Sequence, residues 1–123
     1  MLSKYKKNYE KQVMGFLSYL PEFKNLENLR EEMQLYKDED QYQVLIFKGE
    51  DGDCRGIIGI QESDDFIVIR YLSLDPSFRN SAVEKEVIKQ LQNTYPDKMI
   101  SAMPDCTYLL KYTKQGNNND DER

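Results

Sequence analysis

The sequence predicts an α+β fold built on a mixed sheet with helices on its faces. Three observations carry this. Apolar residues recur at helical spacing over the first third of the chain, three β-rich runs follow with short polar turns between them, and a helix then separates the last of these from one more strand. At 123 residues, 39% apolar and 32% charged, the chain has the size of one domain with one core.

Taken in order, residues 2–5 read as a short first strand, and Val13, Phe16, Leu17 and Leu20 then share one helical face until Pro21 ends the pattern. Asn25 is placed to cap a second helix, in which Leu26, Leu29, Met33 and Tyr36 line one side and Glu31, Glu32 and Gln34 lie elsewhere. The charged run at 37–40 is a solvated connection. Strands are predicted at Tyr42–Lys48, at 55–61 and at Phe66–Leu74, parted by the polar stretches 49–53 and 63–65, which makes an antiparallel meander. Asp75-Pro76 stops the meander. A helix burying Val83, Val87, Ile88 and Leu91 comes next, and a strand at 98–103 follows Tyr95-Pro96, so strand, helix and strand imply a parallel crossover. A last helix is predicted at 107–115. The tail at 117–123 is too polar to pack and is expected to be disordered, leaving 1–116 as the domain.

Composition removes several classes of function. Lys and Arg total 17 against 22 for Asp and Glu, a formal charge of −5 that disfavours a phosphate backbone, so no nucleic-acid partner is expected. The first residues lack the apolar stretch of a signal peptide, and no run approaches the ~18 apolar residues of a membrane helix. No membrane partner is expected, and the expected location is the cytoplasm. With no histidine, and with Cys54 and Cys106 far apart, neither a zinc site nor a histidine-based triad can be assembled; both cysteines read as reduced packing residues. Asp51, Asp53, Gly56 and Glu62 mimic the spacing of a calcium-binding loop, but Arg55 stands where a ligand is needed and strands flank the loop. No metal is expected.

The informative stretch runs from Ile69 through Arg70, Tyr71, Leu72, Ser73, Leu74, Asp75 and Pro76 to Arg79, Asn80, Ser81, Ala82, Val83 and Glu84, and an amphipathic helix follows it. It resembles the acetyl-CoA-binding motif of the GNAT superfamily, in which such a strand leads through a Pro-containing turn into Arg/Gln-x-x-Gly-x-Gly/Ala. Arg79 matches the first position, while Ala82 and Glu84 stand at the two glycine positions. A second similarity lies in Asp105-x-x-Tyr108-x-x-Lys111-Tyr112-Thr113-Lys114-Gln115-Gly116, which places Tyr112 on the family's tyrosine. In detail the chain looks closest to the RibT-type acetyltransferases of bacterial riboflavin operons, through its lysine-rich start, the stretch 16–21 and the stretch 70–77.

The resemblance implies a GNAT-like mixed sheet without the family's closing C-terminal hairpin, with one side of the acceptor site either open or completed by a second subunit in a homodimer. It implies an acetyl-CoA-dependent N-acetyltransferase acting on the amine of a small acceptor by direct attack. By the same resemblance, Leu72, Ser73 and Leu74 meet the pantetheine arm, residues 79–84 meet the pyrophosphate through their backbone amides, and Tyr112 protonates the leaving thiolate, unless it only packs against the sheet. Many family members place an acidic residue near position 70; Arg70 suggests instead a carboxylate or phosphate on the acceptor, or else a pairing with Asp64 or Asp65. Glu84 has two readings: repulsion of the pyrophosphate, or a capping box in which Ser81 caps the helix and Glu84 reaches back to it. The alternative for the whole chain is a degenerate GNAT fold that binds a partner and catalyses nothing.

Overall fold

A computed structural model describes residues 2–113. The alternation of apolar and polar residues that marks the strands becomes a five-stranded sheet in the order β1-β2-β3-β4-β5, with β1 Leu2–Lys4, β2 Tyr42–Lys48, β3 Cys54–Glu62, β4 Phe66–Leu74 and β5 Met99–Ala102. The first four strands pair antiparallel and β5 joins β4 in parallel, as the crossover through a helix requires. The β2–β3 turn closes on Gly52, whose φ of +84° suits a residue without a side chain. Asp51 in that turn accepts from the Asp53 amide and from Arg55, so the calcium-like spacing serves a hairpin.

Each face of the sheet is covered by helices. Helix α1 (Glu10–Leu17) and helix α2 (Leu26–Asp38) bury Val13, Leu17, Leu29 and Met33 against Val44, Ile46 and Ile57. On the other face, helix α3 (Ser81–Thr94) buries Val87, Ile88 and Leu91 against Leu45, Ile58 and Ile67. Asn25 caps α2 as expected, its side chain accepting from the amides of Glu27 and Asn28. Cys106 packs in the core on the α3 face, and both cysteines are free thiols. Among the described residues no helix is long and apolar enough to cross a membrane.

Three expectations need correction. The final segment is a 3₁₀ helix over Pro104–Tyr112, starting three residues before the helix predicted at 107–115, of which 114 and 115 lie outside the described residues. Thr107 and Thr113 each turn a hydroxyl onto the carbonyl three residues back, which favours the tighter three-residue repeat. Helix α3 is capped by Asn80 where Ser81 was expected, because the extended backbone of Asn80 presents its Oδ1 to the Val83 amide at 3.0 Å. Glu32 belongs to the buried side of α2, only 4% exposed, where it was expected among the outward polar residues. The tail at 117–123 lies outside the described residues.

Candidate active site at the parting of two strands

Strand β4 is paired on both sides only along its first half. The β4–β5 register runs from Phe66↔Met99 to Ile69↔Ala102, the Met103 amide donates to the Ile69 carbonyl, and Pro104 then turns the chain away. Among the described residues, 70–74 pair with β3 alone, so the two strands part there and leave a gap.

Which backbone groups face the gap is set by one extra residue. On β3, Gly59 pairs with Tyr71 and Ile60 with Ile69, which makes Arg70 the inserted residue of a β-bulge. Beyond it the Asp75 amide donates to the Arg55 carbonyl at 2.7 Å; by the alternation of an antiparallel ladder, Tyr71 and Ser73 then bond to β3 while the backbone of Leu72 and Leu74 points into the gap. Consistently, Arg79 Nε donates to the Leu74 carbonyl at 2.9 Å. Ser73 turns to the opposite face, where its hydroxyl donates to the Phe16 carbonyl of α1 at 2.6 Å.

The N-terminus of α3 borders the same gap. Asn80 satisfies the Val83 amide, and the amides of Ser81 and Ala82 are the other donors of the open first turn. Glu84 makes no capping box: with the cap at Asn80, it stands one position too far along to reach back. Its carboxylate instead accepts from the Tyr112 hydroxyl at 3.1 Å, so residues from the two separate sequence motifs meet. Both side chains are half-buried. Arg79 is exposed and lies over the Tyr19 ring. Neighbouring Tyr108 holds its proton more tightly than an ordinary phenol, first through burial and then through the Glu84 carboxylate.

On the other face of β4, Arg70 meets neither Asp64 nor Asp65. Its guanidinium donates to both oxygens of Glu32, at 2.5 and 2.8 Å, and lies against the rings of Tyr42 and Tyr71. Tyr36 donates to the same carboxylate, and its hydroxyl meets that of Tyr71. Burial works against the charge of Arg70, but the hydrogen bonds and charge of Glu32 prevail and raise its pKa above the ordinary value. Burial raises the pKa values of Tyr36 and Tyr71, with the Glu32 charge adding to it. The Tyr71 ring lies against Gly59, where a Cβ would come within 2.2 Å of it. Beside this network is a cleft of about 390 Å³ lined by Glu22, Phe23, Asn28, Glu31, Glu32 and Leu35.

Sequence reading singled out Arg70, the stretch 72–74, residues 79–84 and Tyr112, and the structure sets all but Arg70 and the Ser73 side chain around the gap and the α3 terminus. It missed Glu32, Tyr36 and Tyr71. The available signal was the i, i+4 spacing of Glu32 and Tyr36, which puts a carboxylate on the apolar side of α2.

The N-acetyltransferase in the lysA 3' region of Bacillus methanolicus is 38% identical to this chain over 99 residues, covering 80% of this chain and 82% of that protein. No family model matches the chain. Among solved structures, the aminoglycoside N-acetyltransferase AAC(6')-Iy in complex with a CoA-containing bisubstrate analogue superposes with a TM-score of 0.66 at 14% identity, covering 99% of this chain and 84% of that one. An acetyltransferase of the GNAT family from Bacteroides thetaiotaomicron does so with a TM-score of 0.64 at 17% identity, covering 99% and 68%.

Proposed function

The chain belongs to the N-acetyltransferases, is an acyltransferase and has the GNAT fold, and on that premise we propose that it moves the acetyl group of acetyl-CoA onto the amine of a small cationic acceptor. The observation that carries the cofactor half is the parting of β4 from β5 beyond Ile69 and Ala102, with the backbone of Leu72 and Leu74 turned into it. These are donors and acceptors of the kind an amide-bearing pantetheine arm needs. The residues fit the coenzyme at its other end as well, since the first turn of α3 offers amides to a pyrophosphate, flanked by Arg79 and Asn80. When bound, the coenzyme supplies an acetyl group already activated as a thioester.

In this reading the chain's own residues do the rest by placement. Direct attack by the acceptor amine requires no nucleophile from the protein, and the absence of histidine is no obstacle. The Leu72 amide polarises the acyl carbonyl. Tyr112 gives the proton that the departing thiolate takes up as the C–S bond breaks, and the proton the amine loses on forming the C–N bond leaves through water. Glu84 opposes the pyrophosphate, by about 1–4 kcal/mol at a separation of ~4 Å. Displacing its carboxylate frees the Tyr112 hydroxyl, which donates to it at 3.1 Å.

The acceptor half changes sign from the sequence reading. An anionic acceptor was suggested by Arg70, but both arms of that guanidinium are engaged by Glu32. The cleft beside it carries Glu22 and Glu31 at its rim, which suits an amine with a second positive charge. A place among the RibT-type proteins is proposed on the stretches 16–21 and 70–77. A second copy at the open β5 edge, where Phe66, Met99 and Met103 are exposed, is proposed as the wall that completes the site.

Calorimetry with acetyl-CoA, followed by thiol release with a panel of mono- and diamines, tests the reading. Micromolar affinity and faster release with diamines are expected. No heat at millimolar acetyl-CoA would overturn it, and binding without thiol release for any amine would leave a binding protein in its place.

A further inference from the structure

Buried ion pairs contribute little net stability over an apolar pair of the same volume, but they fix registry well, because a slip strands a charge. The Glu32–Arg70 pair stands where registry decides the site. Below the bulge, the backbones of Ile67 and Ile69 face β5; without the inserted residue, those of Tyr71 and Ser73 would follow them into the gap. With it, Leu72 and Leu74 take that place, and two consecutive side chains, Arg70 and Tyr71, emerge on the α2 face. Each of those side chains ends on α2. Arg70 gives both arms to Glu32, and the Tyr71 hydroxyl meets that of Tyr36, which donates to Glu32 as well. The opposite face beside this point is lined by Ile58, Ile60 and Ile69, so losing the bulge would turn one of the two, the Tyr71 hydroxyl or the Arg70 guanidinium, into an apolar core and away from the group on Glu32.

We propose that Glu32 is a positioning residue for acyl transfer: by holding Arg70 directly and Tyr71 through Tyr36, two consecutive side chains that share a face only in the bulged strand, it pins the β4 bulge and thereby decides which backbone amides face the cofactor gap. The inference rests on the acetyl-CoA reading above, but one of its tests does not. In the double variant Glu32→Leu with Arg70→Met, the volume is kept and the fork is lost. The variant is expected to remain folded, with kcat/KM for acetyl-CoA at least tenfold lower and with the amide resonances of Leu72 and Leu74 displaced from the parent's. The milder Glu32→Gln, which keeps the shape and loses the charge, is expected to lie between the two and serves if the double variant does not fold. Parent-like amide resonances at Leu72 and Leu74 in a folded variant would overturn the proposal whether or not acetyl-CoA binds. So would displaced resonances with kcat/KM within twofold of the parent. A parent protein that ignores acetyl-CoA would instead sink the functional reading, and the resonances would still decide whether Glu32 sets the register.

Discussion

Glu32 and Glu84 are both helix carboxylates that accept a hydrogen bond from a tyrosine, and they are held in opposite ways. Glu32 is 4% exposed and takes two bonds from Arg70 and one from Tyr36. Glu84 is half-buried and takes one bond, from Tyr112 at 3.1 Å. A charge withdrawn from water must be matched on every side or it is expelled, whereas a charge at the surface can change partners at little cost. The first carboxylate is therefore part of the frame, and the second is a part that a ligand can move. That difference places the fixed geometry on the α2 side of β4 and the adjustable geometry at the start of α3.

The sharpest way to break the contrast is to remove one partner from each pair. Arg70→Met leaves Glu32 buried and unmatched and is expected to cost about 3–5 kcal/mol in urea unfolding; a loss under ~1 kcal/mol would mean that Glu32 reaches water after all. Tyr112→Phe is expected to lower turnover by roughly a hundredfold with acetyl-CoA affinity nearly unchanged, while stability shifts by only about 0.5–1 kcal/mol. Equal turnover in the two proteins would remove Tyr112 from the chemistry. The third expectation concerns pH. Tyr36 and Tyr71 both have raised pKa values in the folded chain, so above pH ~10 the unfolded chain releases protons that the folded chain keeps. Stability is then flat below that pH and falls above it, by about 1.4 kcal/mol per pH unit for each phenol still protonated. Tyr36→Phe should reduce the slope in urea titrations run at successive alkaline pH values. The smallest effect is reserved for the movable carboxylate: Glu84→Gln should tighten acetyl-CoA binding up to about tenfold by calorimetry, with a stability change of about 0.3–1 kcal/mol from the lost charge at the helix start.

The order of elements was legible because it rests on local pattern. Alternation marked β2, β3 and β4, Asn25 announced α2, and Pro76 and Pro96 bracketed α3. The two motifs at 69–84 and 105–112 were also visible, since spacing along one strand or one turn is a property of the chain itself. What escaped was anything set by an offset of one residue. Asn80 and Ser81 are both good caps, and only the extended backbone at Asn80 decides between them. Arg70 reads as an acceptor-binding cation or a partner of Asp64 or Asp65 until the bulge brings Tyr71 to its face, and Glu32 reads as a solvated helix residue until Arg70 is seen to meet it. Bulges and buried ion pairs are tertiary facts, and periodicity is blind to them.

The clamp on β4 also bears on how portable this site is. Residue 70 takes its place from a helix residue 38 positions earlier in the chain. The strand, turn and helix from Phe66 to Thr94 look like a self-contained cassette, yet grafted onto another sheet they would arrive without the group that sets their phase. A working transplant would have to bring α2 with it, and shuffling between relatives should succeed or fail according to whether both halves come from the same parent.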